Sequence, residues 1–148
     1  MARTHSKMSS VSCKDRNITI NETRSTDETD YHTLIRLTVT SGNKRRSVAG
    51  TLFGGDKPRI VKIENIVMEA ELGPHMLFVR NIDKPGFIGN LGRTLAEAGI
   101  NIATLHLGRE AQGMDAICLV HVDQPLDEAV LAHVCALPNV VQVRQLHF

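Results

Sequence analysis

Short segments of alternating apolar and polar residues occupy the first half of the chain. Alternation with a period of two is typical of strands that bury one face. It predicts strands at residues 17–21, 34–40, 46–53 and 59–64, joined by turns rich in Gly, Asn, Asp and Pro. Residues 17 to about 68 are therefore expected to form an antiparallel meander. No helix is predicted to cover its apolar face, so the meander either curls on itself, packs on the second half of the chain, or is covered by a part that lies elsewhere.

The second half of the chain combines two helical periods with four further strands. Strands are predicted at 76–81, 100–108, 115–123 and 140–146, with one helix at 85–98 and another between 123–125 and 138–139. The order βαββαβ predicts a ferredoxin-like α+β sandwich with two helices on one antiparallel sheet. The chain thus divides into a polar lead-in at 1–16, a β domain at 17–72 and an α+β domain at 73–148.

The turn before the first of these helices collects polar groups. Pro85 suits the first helical position, and Asp83 can cap the free amides. Gly99 suits a left-handed cap at the other end, and Asn101 enters from the next strand. The apolar stripe of this helix consists of Ile88, Leu91, Leu95 and Ala98. Asn81, Asp83 and Asn101 are therefore predicted to meet beside the helix amides.

This set of polar groups suits a small polar amino acid. An aspartate holds an ammonium group, helix amides hold a carboxylate, and asparagine both donates and accepts hydrogen bonds. The alternative is that Asp83 only caps the helix and Asn101 only satisfies a strand edge. The nearby glycines Gly86, Gly89 and Gly92 do not have the spacing of a dinucleotide-binding loop.

Composition excludes several other functions. A net charge of +1 and the absence of Trp argue against nucleic-acid binding, and no apolar run reaches the roughly 20 residues of a membrane span. Three cysteines without paired spacing favour a reducing cytoplasm over a disulfide framework. The seven histidines have no metal-binding spacing, so no metal site is predicted, and no catalytic residues are assigned. The basic residues of the meander, including Lys57 and Arg59, predict a solvated hairpin rim, with a site for a phosphorylated metabolite as the alternative.

Several segments resemble ACT domains, the small regulatory modules that bind amino acids. They are residues 81–89, 99–103, 107–109 and 137–140. Among ACT domains, these segments most specifically resemble the regulatory domain of the D-3-phosphoglycerate dehydrogenase family. Enzymes of this family catalyse the first, NAD-dependent step of serine biosynthesis. Residues 46–51 and 58–61 are similar to the intervening domain of the longer members of that family.

The resemblance implies L-serine as the ligand, bound where two ACT domains pair edge to edge in a homodimer. The implied ligand residues are Asn81, Asp83 and Asn101, with the backbone of Ile82 and with Gly86 and Phe87 shaping the turn. The first ACT strand and its helix would form the interface. The intervening domain of some members also holds an anion, for which Lys57 and Arg59 are candidates, although Glu71 replaces another basic residue.

The NAD-binding and substrate domains of the family have no counterpart in these residues. The resemblance therefore implies a regulatory segment without a cofactor, inactive alone and associated with catalytic domains elsewhere. A module that dimerises through its sheet edge and binds nothing is the alternative.

Overall fold

The computed structural model describes residues 31–148, together with Thr19. The first four strands of this part are β1 (Ile35–Ser41), β2 (Lys44–Phe53), β3 (Lys57–Ile63) and β4 (Ile66–Glu71). They are followed by β5 (His75–Ile82), α1 (Phe87–Glu97), β6 (Ile102–Arg109), β7 (Asp115–Val122), α2 (Glu128–Cys135) and β8 (Val140–His147). The predicted lead-in at 1–16 and the predicted strand at 17–21 lie outside the described residues, Thr19 excepted.

Strands β1 to β4 form an antiparallel sheet in chain order, so the predicted meander is confirmed. Its last strand, β4, was not predicted. The chain reverses at Glu64, whose φ of 53° lies in the left-handed region, and β4 then alternates buried and exposed residues throughout. The predicted strand at 59–64 corresponds to β3 alone, and the turn of two residues that separates β3 from β4 contains no Gly or Pro to mark it in the sequence.

Strands β5 to β8 form a second antiparallel sheet in the order β6-β7-β5-β8. With α1 and α2 inserted, this is the predicted ferredoxin-like βαββαβ arrangement. Both helices pack on one face of the sheet, where the core consists of Leu77, Val79, Phe87, Leu91, Leu95, Ile100, Cys118, Val120, Val122, Leu126, Val134 and Val143. The second half of the chain therefore folds as the alternation of its sequence predicts.

The first ACT-like strand, β5, lies in the middle of this sheet, paired with β7 on one side and β8 on the other. The prediction that this strand forms an intersubunit edge is therefore wrong. In the described part of the chain, β6 and β8 are the edges of the sheet.

Helix α1 begins two residues later than predicted. Its N-cap is Gly86, at a φ of 96°, so Pro85 precedes the helix. The buried stripe accordingly begins at Phe87 and continues through Leu91 and Leu95, whereas Ile88 is 41% exposed. The predicted C-terminal cap is confirmed, because Gly99 has a φ of 70° and its N–H donates to the Ala96 carbonyl at 2.9 Å.

The other face of the second sheet packs against the meander. Alternate residues of β4, namely Ile66, Met68 and Ala70, form a second core with Met76, Ile117 and Leu119. Of the three predicted alternatives, packing on the second half of the chain is therefore correct for β4. Strand β1 lies beyond this contact, and its apolar residues Ile35 and Leu37 are exposed.

Candidate functional site

A cavity of about 330 Å³ lies between the end of β5, the beginning of α1 and the end of β6. It is lined by Asn81, Asp83, Lys84, Pro85, Gly86, Phe87, Ile88, Gly89, Leu107, Arg109 and Gln112. Four of the residues predicted from sequence, Asn81, Asp83, Gly86 and Phe87, thus surround one space. Ile82 does not line it, and its N–H donates instead to the Asn139 carbonyl at 2.9 Å.

The amides at the start of α1 form one wall of the cavity. The first backbone hydrogen bond of the helix runs from the Asn90 N–H to the Gly86 carbonyl at 2.9 Å. The N–H groups of Phe87, Ile88 and Gly89 precede this bond, and no side chain among the described residues caps the helix. The left-handed backbone of Gly86 makes this open terminus possible, since a side chain at such a φ is strained. The wall therefore presents unpaired donors and the positive end of a helix dipole to the cavity.

Asn81 supplies an acceptor. Its side chain is 1% exposed, and its amide nitrogen donates to the Ile82 carbonyl at 3.1 Å. The other side-chain atom, Oδ1, is buried without a hydrogen-bond partner. A buried polar atom without a partner costs about 1–3 kcal/mol, so a donor brought by a ligand would recover that free energy.

Asp83 is tied to the loop between β6 and β7. Its Oδ2 accepts from Arg109 Nη1 at 2.8 Å and from the Gly113 N–H at 3.3 Å. The Arg109 guanidinium, with the Gly113 amide, holds the pKa of Asp83 below its ordinary value. The predicted helix-capping role of Asp83 is therefore wrong, and the carboxylate is ionised beside the open helix terminus.

Asn101 does not reach this cavity within one chain. It precedes β6, whereas the cavity lies at the Arg109 end of the same strand. Its Nδ2 donates to Asp123 Oδ2 at 2.8 Å. The prediction that Asn101 joins Asn81 and Asp83 from a neighbouring strand therefore fails for a single chain, because β6 runs the length of the sheet between the two places.

Sequence reasoning missed Arg109, Lys84 and Gln112 as members of the site. A signal for Arg109 was present, because the hairpin after β6 turns at the same end of the sheet at which β5 leaves it. Lys84 and Gln112 occupy loops, where spacing alone does not indicate direction.

The two candidates for an anion site lie in the meander. Arg59 Nη2 lies 2.6 Å from Glu71 Oε1 on the adjacent strand, and its guanidinium stands 5.8 Å from the centroid of the Phe53 ring. Glu71 thus neutralises the charge that an anion would need, while Lys57 is exposed. The anion site remains a prediction without support from these contacts.

Within residues 31–148 and Thr19, no group of three or more His, Cys, Asp or Glu side chains is placed to hold a metal ion. In the same part of the chain, no helix is long and apolar enough to cross a membrane.

Comparison with known proteins identifies both halves of the chain. Residues 6–64 match the family model of the D-3-phosphoglycerate dehydrogenase intervening domain, and residues 75–139 match that of the ACT domain. The D-3-phosphoglycerate dehydrogenase of Methanocaldococcus jannaschii is 31% identical over 133 residues, which are 90% of this chain and 25% of that protein. The Bacillus subtilis enzyme of the same name is 30% identical over 131 residues, 88% of this chain and 25% of its own length.

A relative of another name is the probable L-serine dehydratase beta chain of Bacillus subtilis, 25% identical over 111 residues, which are 75% of this chain and 50% of that protein. The chain spans about a quarter of the length of the two dehydrogenases. Residues 75–139 are therefore an ACT domain, and residues 6–64 match the intervening domain of D-3-phosphoglycerate dehydrogenases.

Proposed function

We propose that this chain is an amino-acid-sensing regulatory segment of a D-3-phosphoglycerate dehydrogenase and that it binds L-serine in the cavity beside α1. One observation carries the proposal. The buried Asn81 Oδ1, which has no partner, lines the same cavity as the uncapped amides of α1. An acceptor and a row of donors in one small space match the ammonium and carboxylate groups of an α-amino acid.

Each end of the ligand has a place in this proposal. The carboxylate lies at the N–H groups of Phe87 and Ile88, where the helix dipole favours a negative charge. The ammonium group donates to Asn81 Oδ1 and to the carboxylate of Asp83. Asp83 can serve the ligand through Oδ1 while Oδ2 keeps its contacts to the β6–β7 loop.

A second copy of the chain brings Asn101 to the site in this proposal. Strand β6 is an edge of the sheet, so two copies can pair antiparallel through it. A two-fold axis near the middle of β6 then places the partner subunit's Asn101 at the Arg109 end of the strand, where the cavity lies. The separation of Asn101 from Asn81 within one chain thus supports a ligand shared between two subunits.

The choice of serine draws on the relatives. This chain resembles the D-3-phosphoglycerate dehydrogenase family, which catalyses the first step of serine biosynthesis. Another relative is named as a probable L-serine dehydratase chain. We further propose that the segment itself binds no NAD, acts in the cytoplasm, and controls catalytic domains that lie outside these residues.

Calorimetry with L-serine tests the proposal. Asn81→Ala should weaken binding by about tenfold or more, because the charged ammonium group of the ligand loses its buried acceptor. Asn90→Ala, in the first turns of α1 but outside the cavity lining, is the matched control and should bind like the wild type. Asp83→Ala should also weaken binding. Absence of heat with millimolar serine from a folded dimer would overturn the proposal, and unchanged affinity in Asn81→Ala would overturn the assigned site.

The second candidate is a dimerisation module without a ligand. It is favoured by the apolar surface beside the β6 edge, where Ile88 and Leu107 are 41% and 43% exposed. Analytical ultracentrifugation and a thermal shift screen of the protein amino acids separate the two. A dimer whose melting temperature responds to no amino acid supports the module, whereas a shift confined to serine supports the sensor.

A further inference from the structure

Two consecutive residues of β5 point to opposite sides of the ACT sheet. Asn81 shares the face of Val79, on which the helices pack, and lines the cavity. Arg80 shares the face of Phe78, on which the meander packs. One short stretch of backbone therefore borders both the proposed ligand site and the contact between the two sheets.

Arg80 bridges the ACT domain and the meander. Its Nε donates to Asp115 Oδ2 at 3.1 Å, and its Nη1 lies 3.3 Å from Glu64 Oε2 in the β3–β4 turn. Glu64 is also paired with Arg46 of β2 at 2.9 Å. The Arg80 side chain is 20% exposed and that of Glu64 is 26% exposed, so solvent screens this bridge less than it screens a surface ion pair.

The same bridge is connected to the ligand site through the β6–β7 loop. Asp83 makes two hydrogen bonds to this loop. Its N–H donates to the Met114 carbonyl at 2.8 Å, and its carboxylate accepts from the Gly113 N–H at 3.3 Å. The next residue, Asp115, is the partner of Arg80. The segment from Gly113 to Asp115 is thus held by the ligand site at one end and by the interdomain bridge at the other.

We propose that this segment couples the amino-acid site to the meander, so that ligand binding and the ion-paired β3–β4 turn stabilise each other. The inference rests on the proposed function. A ligand that engages Asp83 fixes the position of the loop, and a fixed loop lowers the entropic cost of holding Asp115 against Arg80, whose guanidinium also pairs with Glu64. The coupling is reciprocal, so loss of the Glu64 contact must weaken ligand binding by the same factor by which bound ligand strengthens that contact.

The test is serine calorimetry on the full chain with Glu64→Gln, which keeps the shape of the side chain and removes its charge. Glu69→Gln, on the exposed side of β4, is the matched control. We expect Glu64→Gln to weaken serine binding by about fivefold and Glu69→Gln to leave it unchanged. Hydrogen exchange gives a second readout: serine should slow exchange at residues 62–66 in the wild type and not in Glu64→Gln. If Glu64→Gln does not fold, Arg46→Gln, at the exposed end of the bridge, replaces it and should show the same two effects in smaller measure.

The possible failures are distinguishable. If the wild type binds serine, and Glu64→Gln binds it with equal affinity and shows equal protection from exchange, the coupling is overturned and the sensor proposal stands. Wild-type protein that binds no serine overturns the sensor proposal, and the coupling is then overturned with it.

Discussion

Gly108 is the position at which a single added methyl group should separate the two sheets. It lies in β6, where β4 crosses the ACT sheet. A Cβ atom at this position would stand 2.5 Å from the Ile66 Cγ2 methyl carbon and 2.9 Å from the Val67 carbonyl oxygen. The need for glycine here arises from the close approach of the two backbones.

The size of the effect follows from these distances. Nonbonded carbon atoms are most stable at roughly 3.5–4.0 Å, so the Ile66 contact is short by about 1 Å. A rotation of the Ile66 side chain would not relieve the contact with the Val67 carbonyl, whose residue is paired with Lys62 of β3. Strand β4 must therefore move as a whole and loosen the core that contains Met68. Overpacking of this kind should lower the free energy of unfolding by about 2–3 kcal/mol.

Urea denaturation of Gly108→Ala measures this change. The matched control is Gly92→Ala, because a Cβ at that position of α1 meets nothing within 4 Å. The control should be neutral or stabilised by about 0.5–1 kcal/mol through better helix propensity. Equal midpoints for Gly108→Ala and the wild type would show that β4 does not pack on β6 as described.

Three further predictions concern single side chains. Burial raises the pKa of the Cys118 thiol to about 12. A thiol reagent at neutral pH should therefore modify the exposed Cys135 rapidly and Cys118 only after unfolding. Fast labelling of Cys118 in a Cys135→Ser variant, identified by peptide mapping, would contradict this expectation. Asp127 caps α2, and Asp127→Ala should cost about 1 kcal/mol in urea denaturation. Because Arg109 lowers the pKa of Asp83 in the folded protein, ionised Asp83 stabilises the fold above its unfolded pKa of about 3.9, and this contribution is lost as the pH falls through the folded value. Asp83→Asn should therefore be less stable than the wild type at neutral pH and equally stable in acid, as urea midpoints across pH would report.

The order of elements in the ACT domain could be predicted because each element has a strong local signal. Strand β7 alternates through Cys118, Val120 and Val122, which all reach the helix-side core. Gly99 marks the end of α1 because only a residue without a side chain adopts its backbone conformation at no cost. These signals depend on a few neighbouring residues, so the sequence alone contains them.

The errors arose where distant residues decide the outcome. Asp83 is a good N-cap by type, but Arg109, 26 positions later, binds its carboxylate in the folded sheet. Pro85 is likewise suited to begin a helix, yet the left-handed turn at Gly86 delays the helix start. Asn101 lies far from Asn81 because β5 and β6 are both antiparallel to β7, so the start of β6 and the end of β5 are at opposite ends of the sheet. Such placements follow from the β6-β7-β5-β8 order, which local patterns do not encode.

The layering of the molecule explains why the site lies at an edge. One face of the ACT sheet is covered by α1 and α2, and the other is contacted by β4, so neither face remains open beside the end of β5. The cavity that contains Asn81 accordingly lies between the start of α1 and the end of β6. In the proposed dimer, a second subunit closes the cavity at the β6 edge, while Arg80 connects the central strand β5 to the meander. The proposed sensor would therefore transmit ligand binding in two directions, across the sheet edge to a partner and through the sheet to the β3–β4 turn.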